Sequence, residues 1–172
     1  MAELLAIVSG GQTGVDQAAL RAGQDCGLET GGWCPPGREC ESGVIPARFP
    51  LKETPEDRSP DAPEVPRSLR SEWNVRASDA TLILRPAVED RVDPGTGWTV
   101  QCAVRYGRPL LVCDPANPVA QERITSWLRA LSVRNLHVAG PSEGACPGVG
   151  DQAYALLVRV FSTLRLDPPA DP

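Results

Sequence analysis

Short apolar segments alternate along this chain with longer segments whose apolar residues recur at helical spacing. The apolar segments cover residues 4–8, 80–84, 110–113 and 136–139. Short runs that are wholly or mostly apolar are typical of strands that are buried on both faces of a parallel sheet. Because the segments between them have helical periodicity, the alternation predicts an α/β fold, with a mostly parallel sheet covered by helices on both faces.

The first apolar segment leads into a glycine-rich loop and then into a predicted helix. Thr13 and Asp16 stand three residues apart at the start of this helix, as in a capping box with Asp in place of Glu. Gly27 follows the last periodic residue and is typical of a helix C-terminus. A strand, a glycine turn and a capped helix open a βαβ unit, so the chain is predicted to form a Rossmann-like three-layer sandwich.

The length suits one domain. The chain has 172 residues, within the usual size of a domain, and we assign residues 1–166 to a single Rossmann-like domain. Residues 54–66 contain four prolines among Asp, Glu and Ser, and they are predicted to form an exposed excursion. Residues 167–172 are predicted to be a disordered tail.

Composition argues against several classes of protein. The net charge of −5 argues against a general nucleic-acid binder, which needs clustered cations. No apolar run reaches the length of about 18 residues that a membrane span requires. The N-terminus lacks the basic start of a signal peptide, so we expect a cytoplasmic protein. The six cysteines form no CxxC pair and the chain has one histidine, so no metal site is predicted.

Three glycine-containing loops follow predicted strands, at the edge of the sheet where ligands bind in such folds. The first precedes a helix whose unpaired N–H groups and positive dipole end favour anions, and its glycines allow close approach of the backbone to a ligand. Its candidate binding residues are Gly10, Gly11, Gln12, Thr13, Gly14 and Asp16. The loop lacks the GxxxxGK[ST] pattern of nucleotide triphosphatases. A tight turn without a ligand is the alternative.

The second and third loops can also either bind a ligand or cap the helix that follows them. The second opens a helix and can offer hydroxyl and amide groups to a phosphate, although a simple helix N-cap is the alternative. Its candidates are Gly95, Thr96, Gly97 and Thr99. Ser142 and Glu143 in the third loop either reach the ligand or cap the last helix. His137 lies inside a predicted strand and is interpreted as a core residue.

Six segments of the chain resemble, in order, the molybdenum cofactor carrier family. They cover residues 9–16 (SGGQTGVD), 31–37, 45–50, 71–76 (SEWNVR), 78–84 and 138–141. This family is a branch of the superfamily that also contains the cytokinin-activating phosphoribohydrolases and related lysine-decarboxylase-like proteins. The excursion at residues 54–66 is longer than the family's pattern.

The resemblance implies a Rossmann-like subunit that assembles into a homo-oligomer, a dimer or a tetramer. It implies binding of the molybdenum cofactor (molybdopterin), a pterin with a terminal phosphate, or of molybdate or another oxyanion. Such a carrier protects its ligand and transfers it to a molybdoenzyme or a cofactor-biosynthesis protein. Gly32 and Trp33 join the loop candidates as cofactor-binding residues. The Trp33 ring either stacks on a flat heterocycle or simply packs.

The same resemblance bears on catalysis. The related phosphoribohydrolases carry Glu residues just after their Gly-Thr, whereas residues 97–101 of this chain contain no acid. General acid–base catalysis needs such a group, so a carrier is favoured over an enzyme and no catalytic residue is predicted. Asp16, Asp93 or Glu143 could substitute. A nucleotide-binding sensor module and a nucleoside-5'-monophosphate phosphoribohydrolase are the alternative functions.

Overall fold

The computed structural model describes residues 3–87 and 93–166; the predicted tail at 167–172 lies outside the described residues. Its elements are, in chain order, β1 (Ala6–Val8), α1 (Val15–Asp25), β2 (Glu29–Gly31), β3 (Trp33–Cys34), a 3₁₀ turn (Pro36–Arg38), β4 (Glu39–Cys40), β5 (Gly43–Val44), β6 (Lys52–Glu53), α2 (Ser68–Arg76), β7 (Ala80–Leu84), α3 (Pro94–Arg105), β8 (Leu110–Cys113), α4 (Ala120–Ala130), β9 (Asn135–Ala139) and α5 (Val149–Leu166).

Five strands form one parallel sheet in the order β2-β1-β9-β7-β8. Apolar side chains on one face of β7 and β9, such as Leu82 and Val138, pack with α1, α4 and α5 in a single buried cluster. A second cluster joins α2 and α3 through Val75 and Trp98. Helices on both faces of a parallel sheet confirm the predicted Rossmann-like α/β sandwich.

The strand order shows that this sheet is circularly permuted. If β9 is counted as the first strand, the order becomes 3-2-1-4-5, which matches the doubly wound dinucleotide-binding fold. The strand that is first in that fold is therefore last in this chain. Strand order reverses between β9 and β7, and ligands of such sheets bind beyond the carboxyl ends of the strands at that point.

The proline-rich excursion is more closely packed than its composition predicts. Residues 54–66 contain many exposed side chains, but Ser59, Ala62 and Val65 are buried. Ala62 and Val65 pack against Val75 of α2 and Trp98 of α3. Prolines prevent regular secondary structure here, whereas the interspersed small apolar side chains still gain from burial. The segment therefore covers the α2–α3 layer instead of standing free of it.

Candidate functional site

A cavity of about 360 Å³ opens beyond the carboxyl end of β9, where the first turns of α1, α2 and α3 converge. Its position is the crevice that the strand order indicates. Of the residues predicted from sequence, the cavity is lined by Gln12, Asp16, Gly95, Thr96, Thr99 and Ser142. The lining also includes residues that the sequence did not single out for binding, namely Pro66, Arg67, Arg70, Ser71, His137, Ala139 and Ala145.

A buried ion pair joins α1 to α2 beside the cavity. Arg70 Nη1 lies 2.8 Å from Asp16 Oδ2, and the two side chains are 14% and 3% exposed. Gly10 makes this pair possible, because a Cβ at this position would stand 2.5 Å from Arg70 Cζ. Burial raises the pKa of Asp16, an effect that outweighs the lowering by Arg70. Arg70 Nε is buried and has no hydrogen-bond partner in the described chain.

The first glycine loop is held by contacts within the protein. The Gln12 amide donates to Asp16 Oδ2, and the Thr13 amide donates to the side-chain oxygen of Gln12. Gly11 and Gly14 have positive φ, and a Cβ at either would strike neighbouring protein atoms. The Gln12 and Thr13 amides therefore already have acceptors within the protein, and binding of an anion by this loop stays a prediction.

The loop glycines serve packing, which their sequence pattern does not reveal. A Cβ at Gly11 would stand 2.6 Å from Leu51 Cδ1, and one at Gly14 would stand 2.5 Å from the Pro141 carbonyl oxygen. Gly10, Gly11, Thr13 and Gly14 are absent from the cavity lining. Glycine is required here because chain segments approach one another closely, a need that produces the same sequence signal as a ligand site.

The second predicted loop is the first turn of α3, and Asp93 caps it. The Asp93 carboxylate accepts from the Thr96 amide at 2.9 Å and from the Thr96 hydroxyl at 2.5 Å. The Thr99 hydroxyl donates to the Gly95 carbonyl oxygen. These hydrogen bonds are those of an N-cap, the alternative interpretation, and binding of a phosphate by this loop stays a prediction. Gly97 lines a neighbouring cavity and not this one.

Replacing Asp93 with Ala is expected to lower the free energy of unfolding by about 1 kcal/mol, as for loss of other N-cap side chains. The same change frees the Thr96 amide and hydroxyl, so the affinity for inorganic phosphate should rise. Urea denaturation and calorimetric titration measure the two effects. Asp93→Ser, which restores a capping oxygen, should recover most of the stability. Unchanged stability in Asp93→Ala would contradict the cap.

The third loop divides between the cavity and the cap of α5. Ser142 lines the cavity, whereas Glu143 accepts from the Gly148 and Gly150 amides and is not in the lining. Glu41, from the β4–β5 hairpin, accepts from the Thr13 hydroxyl and the Gly144 amide. These hydrogen bonds lower the pKa of Glu41. Glu143 is thus a cap, as the alternative interpretation predicted.

Two further candidates lie away from the cavity. Gly32 fits closely against Ser9 and Asn74. The Trp33 ring meets Trp73 edge to face at 4.7 Å between centroids, and neither Gly32 nor Trp33 lines the cavity. The contact with Trp73 accounts for the position of the Trp33 ring by packing within the protein, which was the alternative to stacking on a ligand.

The polar side chains of the SEWNVR segment (residues 71–76) join α2 to three other parts of the chain, at Trp33, Ser59 and Tyr106. Asn74 is fully buried, and its side chain bonds both the amide and the carbonyl of Trp33. Glu72 accepts from the Ser59 and Tyr106 hydroxyls. Ser71 of this segment lines the cavity, and so does Arg70, which directly precedes the segment. The three-residue spacing of Arg67 and Arg70 at the start of a helix was the signal available in the sequence.

Comparison with known proteins gives consistent results. A model of the circularly permutated YpsA SLOG family matches residues 7–161. A crystal structure of a protein from Syntrophus aciditrophicus SB, described as "Putative molybdenum carrier protein", is similar with a TM-score of 0.79 and 32% sequence identity, over 93% of this chain and 96% of that chain. No curated protein matches the sequence. Among the described residues, no helix has the length and apolar character needed to cross a bilayer.

Proposed function

The chain belongs to the circularly permutated YpsA SLOG family, and we propose that it binds the molybdenum cofactor in the cavity beyond β9 and carries it without altering it. The description of the similar structure as a molybdenum carrier supports the molybdenum part of this proposal. The observation that carries the proposal is the placement of two arginines, Arg67 and Arg70, in the lining of one cavity.

The chemistry of the lining suits a phosphate-bearing ligand. A guanidinium offers donors in a fixed fork that matches phosphate oxygens, and such charge-assisted bonds are stronger than neutral ones. Only one terminal nitrogen of Arg70 is bound to Asp16, and Arg67 directs no side-chain hydrogen bond to any described residue. The volume of about 360 Å³ lies within the range of small-molecule sites. These arginines replace the loop amides as the proposed phosphate ligands.

Asp16 and Asp93 are both bound to other protein groups, which favours a carrier over a hydrolase. Asp16 is bound to Arg70, and Asp93 is bound to Thr96. A general acid or base must reach the proton that it transfers, and both carboxylates already accept hydrogen bonds from the protein. We therefore place in this cavity residues that hold and orient the ligand: Gln12, Arg67, Arg70, Ser71, Thr99 and Ser142.

Two finer parts of the proposal rest on the family resemblance. They are a homo-oligomeric assembly, either a dimer or a tetramer, and transfer to a molybdoenzyme or a cofactor-biosynthesis protein. A cytoplasmic location is a third part, and it rests on the N-terminal sequence. An oligomer would protect an oxidisable pterin better if a second subunit covered the open side of the cavity.

Identification of the ligand that co-purifies with the protein tests the function directly. The protein is purified without oxygen and then denatured, and the released material is analysed by mass spectrometry and for molybdenum. We expect a phosphorylated pterin together with molybdenum. Titration of the ligand-free protein with AMP provides the comparison. Stoichiometric AMP binding with no binding of added cofactor would favour the nucleotide-sensor alternative, and release of adenine would favour the phosphoribohydrolase.

A further inference from the structure

We propose that His137 contacts the bound ligand from the floor of the cavity as a neutral hydrogen-bond donor, through Nε2–H to an oxygen of the ligand. This inference rests on the proposed function, because it assigns a further residue to the same site. It also assigns a role to the single histidine of the chain, which its place inside a strand predicts to be a core residue.

The position of His137 on β9 directs its ring toward the cavity. Leu136 and Val138 belong to the core cluster that contains α1, α4 and α5. Successive side chains of a strand point to opposite faces, so His137 and Ala139 face the α2–α3 side, and both line the cavity. His137 is only 1% exposed. It is therefore a buried polar side chain at the base of an open site.

The hydrogen bonds of the ring leave one nitrogen for a ligand. Nδ1 lies 3.3 Å from the hydroxyl oxygen of Thr81, the register neighbour of His137 on β7. Nε2 has no hydrogen-bond partner within residues 3–87 and 93–166, and it is not among the fully enclosed unpaired atoms. A ligand that fills the cavity excludes water from this nitrogen, so an oxygen of the ligand must supply the hydrogen bond that the nitrogen would otherwise lose.

Thr81 favours one tautomer of the ring, because donation to Nδ1 is the arrangement that pairs its buried hydroxyl proton. Its hydroxyl has no other side-chain hydrogen bond in the described structure. When this hydroxyl donates to Nδ1, the ring proton is placed on Nε2, because one nitrogen of a neutral imidazole donates and the other accepts. Nε2 thus becomes a donor and selects an acceptor on the ligand, either an oxyanion oxygen or a carbonyl oxygen.

The charges around the ring keep it neutral. The charged groups that face the cavity are Asp16 on α1, Arg67 just before α2, Arg70 on α2, and Asp93 just before α3. Burial, with a further contribution from the charge of Arg70, lowers the pKa of His137 to about 3. The site therefore gains a donor without gaining a third cation, and ligand binding through this ring should not depend on its protonation near neutral pH.

Nuclear magnetic resonance of the wild-type protein tests this inference without a mutation. Selective ¹⁵N-histidine labelling gives one imidazole, because the chain has one histidine. We expect the Nε2–H tautomer, with shifts that stay constant from about pH 8 to about pH 5, where an ordinary histidine titrates. Adding purified molybdenum cofactor should shift the Nε2 signal, and inorganic phosphate and molybdate serve as fragment probes. Titration near pH 6.5, or an Nε2 signal that the cofactor leaves unchanged, would overturn the inference.

Substitution gives an independent measurement. His137→Leu should weaken cofactor binding about tenfold, as expected for loss of one buried hydrogen bond, whereas His137→Gln, which keeps a donor, should recover part of the affinity. Urea denaturation checks that the variants are folded. If His137→Leu does not fold, the response of the wild-type Nε2 signal to the cofactor tests the inference. If wild type and His137→Leu bind the cofactor with equal affinity, this inference is overturned and the proposed function is not. If wild type binds none of the three probes, the proposed function fails and the role of His137 fails with it.

Discussion

Replacing Arg70 with Gln is expected to lower the affinity for the molybdenum cofactor by about 100-fold, the scale seen when one partner of a buried charge pair is removed at a binding site. The ligand loses a forked cation, and the Asp16 carboxylate is left in the same cavity without its partner. Calorimetric titration with purified cofactor measures the loss. Arg159→Gln is the matched control, because Arg159 is exposed on α5 and is absent from the cavity lining.

The stability of the Arg70 variant needs a separate measurement, since an unpaired Asp16 also weakens the fold. Breaking a buried ion pair from one side costs about 3 kcal/mol or more, whereas removing both charges costs much less. The double variant Asp16→Asn with Arg70→Gln should therefore regain much of the free energy of unfolding while its affinity for the cofactor stays low. Recovery of cofactor binding in the double variant would show that Arg70 acts only through folding.

Gly140→Ala is expected to lower the free energy of unfolding by about 3 kcal/mol, at the upper end of the cost of overpacking. A Cβ at Gly140 would overlap the Leu84 carbonyl oxygen at the end of β7 and would stand 2.7 Å from Val15 Cγ2 of α1. The carbonyl is part of the backbone and cannot turn aside as a flexible side chain can. The strain would separate β9 from β7 where the cavity begins, so binding should weaken as well.

Gly31→Ala provides a matched control for this prediction. Gly31 ends β2, and no atom lies within 4 Å of a Cβ built at that position. Its φ is not in the left-handed region, so Ala should be neutral or slightly stabilising, because it restricts the unfolded chain. Urea denaturation compares both variants with wild type. Equal stability of Gly140→Ala and wild type would mean that β7 and β9 do not meet as closely as described.

The fold could be predicted from local patterns because those patterns have a local physical cause. Apolar runs such as residues 80–84 favour strands that are buried on both faces, and helical spacing favours helices covering them. The parallel, two-sided sandwich was predicted in this way and is confirmed. Strand order was not predictable by this route, because the last strand, β9, pairs with β1 and β7 across long stretches of chain.

The candidate site was predicted only in part, for a related reason. Glycines at 11 and 14 follow the pattern of a ligand loop, but the pattern records only that something approaches the backbone closely, and here it is other protein atoms. The Asp93 carboxylate accepts hydrogen bonds from the amide and the hydroxyl of Thr96, the two donors that the sequence predicts for a phosphate. The sequence did place Gln12, Asp16, Thr96 and Ser142 at one edge of the sheet, and all four line the cavity.

By itself, the sequence determined the elements of this protein, their alternation and the edge of the sheet where binding residues collect. Periodicity, glycine and capping residues act over a few positions, so each can be recognised without the rest of the chain. Only the tertiary structure decided which side chains meet at that edge. The pairing of Asp16 with Arg70, 54 positions apart, and the convergence of three helix starts on His137 of β9 depend on long-range packing, which no local pattern encodes.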